Sequence, residues 1–216
     1  MAEDPGQSKE ALFRSLRRNL RAETVLQAMA QVPRERFVPA ESRHMAYLDI
    51  ALGIGEGQTI SQPYIVELMT QALELRGDER VLEVGTGSGY QAAVLSLLVP
   101  NGFLVTVERV PALADRARAL LKELGYANVT VELSGPTLGC PARAPFDAIV
   151  VTAAAPRLPE SLVDQLAVGG RLVVPVGTLE QQELVQARRT GEGVSLRLLG
   201  PCRFVPLLGP EAFPEK

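Results

Sequence analysis

Five short apolar runs recur along the chain: RVLEV (80–84), FLVTVE (103–108), VTVEL (129–133), FDAIVV (146–151) and RLVVPV (171–176). Near-continuous Val, Ile and Leu of this kind is the pattern of strands covered on both faces. Between the runs, residues 89–99, 111–124 and 159–167 carry helix-forming patterns, the last closed by Gly169-Gly170. Strands alternating with helices in this way predict βαβ units and a parallel sheet with helices on both sides. Beyond them, ELVQARR (183–189) and VSLRLLG (194–200) alternate around Gly191-Glu192-Gly193, which predicts an antiparallel hairpin. The expected fold is α/β: a doubly wound, mainly parallel seven-stranded sheet with an antiparallel C-terminal hairpin.

The start of the chain differs in character. Leu12, Leu16, Leu20, Val25 and Met29 are mostly at helical spacing and Pro33 closes the pattern. From Val32 to Gly57, Pro33, Pro39, Gly53, Gly55 and Gly57 break up the periodicity, so short elements in loops are expected. Residues 1–62 thus read as an N-terminal helical and loop cap of the same domain, with 63–216 as the core. A helix is expected over Ile65–Leu73, with Ser61 or Gln62 near its cap and Pro63 in its first turn.

Composition narrows the function. No apolar run reaches the ~20 residues of a membrane span. A net charge of −3, with Arg17-Arg18 and Arg188-Arg189 as the basic pairs, argues against a nucleic-acid partner. The opening MAEDPGQSKEALF lacks the basic and apolar regions of a secretory signal, so a cytoplasmic protein is expected. Cys140 and Cys202 lack CxxC spacing and have His44 as their single possible histidine companion, which argues against a metal site.

The sequence Glu83-Val84-Gly85-Thr86-Gly87-Ser88-Gly89 follows one predicted strand and opens a predicted helix, the context in which a glycine motif has meaning. A dinucleotide fingerprint would place its third glycine at position 90, where Tyr90 stands. Glu108 ends the next strand, 23 positions after Gly85, where a carboxylate can accept hydrogen bonds from ribose hydroxyls. GxGxG followed by such an acid resembles the S-adenosylmethionine (SAM)-dependent methyltransferases of the Rossmann-like class.

Ahead of the glycine loop stands GQTISQPY (57–64), which resembles the signature of the protein-L-isoaspartate O-methyltransferases. Further matches follow in order: Val32-Pro33-Arg34, Phe37-Val38-Pro39, Ala46-Tyr47 with Asp49, VLEVGTGSGYQAAVLS, Ala144-Pro145-Phe146-Asp147-Ala148-Ile149, Thr152-Ala153-Ala154-Ala155-Pro156, GGRLVVPVG and Arg203-Phe204-Val205-Pro206-Leu207. The resemblance implies an enzyme that methylates the free α-carboxylate of L-isoaspartyl residues in damaged proteins and peptides. It implies that Ser61 is the catalytic, substrate-holding residue. Thr59, Ile60, Gly85, Thr86, Gly87, Gly89, Glu108 and Gly135 would border SAM, and Phe204, Val205, Pro206 and Leu207 would lie along the substrate peptide. A monomer is expected ahead of an oligomer. From the residues alone, Ser61 is equally a helix cap, and the two roles are compatible.

A serine with no base beside it suits this chemistry. Model α-carboxyl groups titrate near ~3.5, so the acceptor is already an anion at neutral pH and needs to be aimed rather than deprotonated. Positioning of that kind lowers barriers by ~7–11 kcal/mol. One departure stands out. Where the family usually has Gly-Asp-Gly, this chain reads Ser134-Gly135-Pro136, so the acid expected near the adenine amine is missing. A lost hydrogen bond to a neutral amine costs ~0.5–1.5 kcal/mol, or roughly three- to tenfold in affinity. Two rival readings remain: a non-catalytic module that binds isoaspartyl sites or SAM, and a methyltransferase for another carboxylate. A complete glycine loop argues against the first; the VPR–FVP cap and RFVPL tail favour a peptide acceptor over the second.

Overall fold

A computed structural model describes residues 5–19 and 22–214. The N-terminal segment is helical, as α1 (Pro5–Asn19) and α2 (Glu23–Gln31), with Leu20 outside the described residues. Two 3-10 turns follow (Arg34–Phe37 and Ala40–Met45), then a small hairpin of β1 (Leu52–Gly55) and β2 (Gln58–Ile60) and the helix α3 (Pro63–Ala72). The core continues with β3 (Arg80–Val84), α4 (Tyr90–Leu98), β4 (Phe103–Glu108), α5 (Pro111–Glu123), β5 (Val129–Leu133), β6 (Phe146–Val151), α6 (Glu160–Asp164), β7 (Leu166–Gly177), β8 (Gln182–Thr190) and β9 (Gly193–Cys202).

The seven core strands form one sheet in the order β5-β4-β3-β6-β7-β8-β9. Strands β5, β4, β3, β6 and β7 are mutually parallel, whereas β8 and β9 return antiparallel, as the glycine-centred alternation predicts. Because side chains alternate across a strand, each strand feeds two cores. Val81, Leu104, Ala148 and Val173 join the cluster that also contains Leu12, Leu26, Met29 and Phe37 from the N-terminal elements. Leu82, Val105, Ile149 and Leu172 point to the other face, against Leu162 and Leu207.

Two expectations shift. The helix expected over 159–167 stops at Asp164, and Leu166–Gly170 already belong to β7. Leu166 pairs with Phe146 ahead of an irregularity in the β6–β7 register, so tertiary pairing claims residues that local pattern assigned to a helix. Ser61 does not cap α3: the N-cap residue is Gln62, without a side-chain capping bond. Asp49 supplies the acceptor instead, its Oδ1 taking the Tyr64 N–H at 2.8 Å. Asp147, near the start of β6, accepts the Arg80 N–H at 2.8 Å.

Candidate active site

Strands β3 and β6 lie side by side at the point where strand order reverses, and their carboxyl ends open the crevice where α/β sheets bind ligands. The chain leaves β3 through Gly85, Gly87 and Gly89 with φ of 100°, 53° and 86°, values that a side chain makes costly. At Gly85 the restriction is also steric. A Cβ there would sit 2.3 Å from Thr152 Oγ1, because that hydroxyl donates to the Gly85 carbonyl at 2.6 Å and fastens the β6 exit to the glycine loop. Gly89 does something different: a Cβ there would stand 3.3 Å from that of Ala117, so its bareness lets the start of α4 close on α5.

Glu108 terminates β4 beside this loop and is buried. Its Oε2 accepts the Gly87 N–H and its Oε1 the Val110 N–H, both at 2.9 Å. Each carboxylate oxygen has a further lone pair, so two backbone donors fix the group while leaving it able to accept hydroxyls.

Two cavities meet at the glycine loop. The outer one, about 110 Å³, is bordered by Gly85, Gly87, Glu108, Ser134, Gly135 and the segment Val205-Pro206-Leu207. The inner one, about 30 Å³, is bordered by Ile60, Ser61, Glu83, Thr86 and Tyr90. Thr59, Gly85 and Thr152 border both and make up their shared rim, the neck. The tail wall is held by backbone: Ala154 N–H donates to the Val205 carbonyl and Leu207 N–H to the Ala154 carbonyl, each at 2.8 Å.

Of the residues singled out in the sequence, Gly89 and Phe204 line neither cavity. Phe204 is held away by Gln182, whose side chain accepts its N–H at 2.7 Å and donates to its carbonyl at 3.2 Å. Ser61 faces the inner cavity, and among the described residues its hydroxyl has no hydrogen-bond partner. Its carbonyl is anchored by Arg34 Nη2 at 2.7 Å.

Sequence reasoning missed Thr152 and Glu83. Thr152 directly follows the FDAIVV strand, and its position at a strand's carboxyl end beside the glycine strand was the available signal. Glu83 is an acid within an apolar strand. It is fully buried; its Oε2 accepts the Thr106 hydroxyl at 2.5 Å, and that hydroxyl pairs with Thr86 Oγ1 at 2.6 Å. Its Oε1 has no partner among the described residues. Burial pushes the Glu83 carboxyl up to about 8, against the pull of the Thr106 hydroxyl and with a push from Glu108.

That shift has a measurable sign. A carboxyl raised in the folded state is protonated there and ionised in the unfolded chain between its ordinary range and about 8. Stability from this group is therefore full below that range and is lost as pH rises to about 8. In ligand-free protein, Glu83→Gln should flatten the fall in thermal midpoint between pH 5 and 8; Glu67, raised by burial to about 7, keeps part of the slope. Parallel curves for parent and variant would remove Glu83 as the source.

The reversed strand order, the glycine loop and the strand-end acid together define the Rossmann-like SAM-dependent methyltransferase class. Comparison with known proteins narrows this. The family model of protein-L-isoaspartate(D-aspartate) O-methyltransferase matches residues 7–212. A protein-L-isoaspartate O-methyltransferase of Roseiflexus sp. (strain RS-1) is 53% identical over 206 residues, covering 93% of this chain and 94% of that protein. One from Methanopyrus kandleri is 48% identical over 223 residues, covering 100% and 99%. Among solved structures, a protein-L-isoaspartate O-methyltransferase superposes with a TM-score of 0.83 at 30% identity, covering 94% of this chain and 66% of that one. A candidate member from Plasmodium falciparum, in complex with S-adenosyl-L-homocysteine, gives 0.80 at 26% identity and covers 91% and 96%. The chain belongs to the protein-L-isoaspartate O-methyltransferase family.

Among the described residues, no helix is long and apolar enough to cross a membrane, and no group of His, Cys, Asp and Glu is placed to hold a metal ion.

Proposed function

We propose that the chain carries out the reaction its family is named for: methyl transfer from SAM to the free α-carboxylate of L-isoaspartyl residues in damaged proteins and peptides. The observation that carries this reading is Ser61, whose hydroxyl is unpartnered among the described residues and whose carbonyl is anchored by Arg34, bordering the same small cavity as Gly85 and Thr86 of the glycine loop.

The residues present suit SAM. The positive φ values at Gly85 and Gly87 let backbone come close to a ligand, and Glu108 is held ready for hydroxyls. Glu83, whose buried Oε1 has no partner among the described residues, also borders the inner cavity; raised to about 8 by burial, it lines that wall as a neutral carboxyl at neutral pH. SAM, when bound, supplies a methyl group on a sulfonium. Ser134 and Gly135 border the outer cavity without offering a carboxylate, so adenine contacts there rest on backbone and apolar surface.

The acceptor arrives as an anion, so no side chain has to take a proton. The Ser61 O–H can donate to one carboxylate oxygen and fix its direction. A hydroxyl suits this because it orients without adding a formal charge that would hold the nucleophile back. Pro206 and Leu207, fixed on Ala154, give the substrate chain a wall beside the neck. Action as a monomer and a cytoplasmic location are part of this proposal.

The direct test offers labelled SAM and two peptides that differ only in isoaspartyl or aspartyl linkage. Labelling of the isoaspartyl peptide alone is expected. Equal labelling of both would end the repair reading, and SAM binding by calorimetry with no labelling would favour a recognition module. Ser61→Ala should lower turnover by ~10–100-fold, the worth of one hydrogen bond to a charged group, with SAM affinity within about threefold of the parent. Unchanged turnover would remove Ser61 from the mechanism.

A further inference from the structure

Arg34 is 1% exposed, and among the described residues no carboxylate lies within ion-pair distance of it. Burying a cation without a counter-ion costs several kcal/mol, and apolar replacements are often as stable or more so. Its environment is nevertheless specific. Nε donates to the Ala46 carbonyl at 2.8 Å and Nη2 to the Ser61 carbonyl at 2.7 Å. The guanidinium carbon lies 4.7 Å from the centroid of the Tyr90 ring. That ring is packed edge-on by Phe37, which belongs to the same short turn as Arg34, with centroids 5.6 Å apart.

Ser61 and Tyr90 both border the inner cavity but belong to different segments of the chain. Ser61 leads into α3, and Tyr90 is the first residue of α4, directly after the glycine loop. We propose that Arg34 is a positioning residue for methyl transfer: by bridging the Ser61 carbonyl to the face of Tyr90, it sets the distance between the acceptor wall and the glycine-loop wall. This rests on the reaction proposed above.

The chemistry of the guanidinium explains the choice. It is planar, donates in several in-plane directions and stacks on a ring at the same time. Lysine retains the charge and the stem but lacks the planar fork that reaches both carbonyls while sitting over the Tyr90 ring. The effect of losing it should therefore reach the reaction through the aim of Ser61, where displacements of about 1 Å cost ~100-fold.

The test is a double-mutant cycle on the full chain. Single-turnover methylation of the isoaspartyl peptide is measured for the parent, Arg34→Lys, Ser61→Ala and the double variant, with SAM affinity by calorimetry. Arg34→Lys should slow the single turnover by ~10–100-fold while SAM affinity changes less than about threefold. The double variant should be no more than about twofold slower than the slower single variant, because two residues acting through one contact are not additive. Losses that multiply, a rate within twofold of the parent, or a fall in SAM affinity as large as the fall in rate would each overturn the proposal. If Arg34→Lys does not fold, Arg34→Gln takes its place under the same criteria; failure of both to fold would make Arg34 a requirement of the fold and overturn it as well. A parent protein that labels neither peptide overturns the reaction itself and this proposal with it, whereas an active parent with multiplicative losses overturns only the role of Arg34.

Discussion

Gly85→Ala should weaken SAM binding by ~100-fold or more. A non-glycine residue forced into a sparsely populated backbone conformation costs ~1–3 kcal/mol, and Gly85 has φ 100°. The new Cβ would also meet Thr152 Oγ1 at 2.3 Å. Thr152 would have to turn away and give up its bonds to the Gly85 and Val84 carbonyls, each worth ~0.5–1.5 kcal/mol. Together these come to roughly 2–6 kcal/mol, a range whose middle lies above the ~2.7 kcal/mol that corresponds to a hundredfold change. A second variant separates the two causes: adding Thr152→Ala to Gly85→Ala removes the collision and leaves the backbone cost, so about tenfold of the affinity should return. Calorimetry reads both, and Gly85→Ala binding SAM within threefold of the parent would show that the loop is not the cofactor's cradle.

Glu108→Gln should cost a comparable amount for a different reason. Both carboxylate oxygens accept backbone N–H groups, from Gly87 and from Val110. An amide offers one oxygen and one NH2, so whichever way it is flipped a donor faces a donor. Hydrogen bonds to charged groups are worth ~1.5–3 kcal/mol each. The disturbed bond also holds either the glycine loop or the start of α5. SAM affinity should fall ~100-fold, and the thermal midpoint of the ligand-free protein should fall by several degrees. Affinity retained within threefold would separate Glu108 from the cofactor.

The strands were the most legible part of the chain. The bounds of β3, β4, β5 and β6 coincide with the apolar runs read from sequence; β3, β4 and β6 are largely buried and have little polar alternation to blur their ends, whereas the edge strand β5 is half exposed. Residues 166–170 were not legible. Nothing local in LAVGG announces that Leu166 will pair with Phe146, twenty residues earlier. The candidate site divides in the same way. Gly85 and Glu108 announce themselves by local motif and spacing, and both border the outer cavity. Gly89 reads as part of the same motif, yet its bareness serves packing against Ala117 and Leu121. Thr152 stands 67 residues from Gly85, and only the adjacency of β3 and β6 brings its hydroxyl to the loop. Arg34 was visible as part of a VPR match, but the chemistry of its contacts required three separate segments to be folded together.

The neck formed by Thr59, Gly85 and Thr152 has a consequence for inhibitor design. A roomier cavity and a much smaller one share this rim, so a bisubstrate compound that joins an adenosine head to a carboxylate mimic should run its linker past these three residues. Gly85 has no side chain, and the Thr152 hydroxyl is already engaged with the Gly85 carbonyl. A slim, unbranched linker is therefore favoured over a branched one, and the residue at position 59 becomes the natural place to look for selectivity between otherwise similar binding sites.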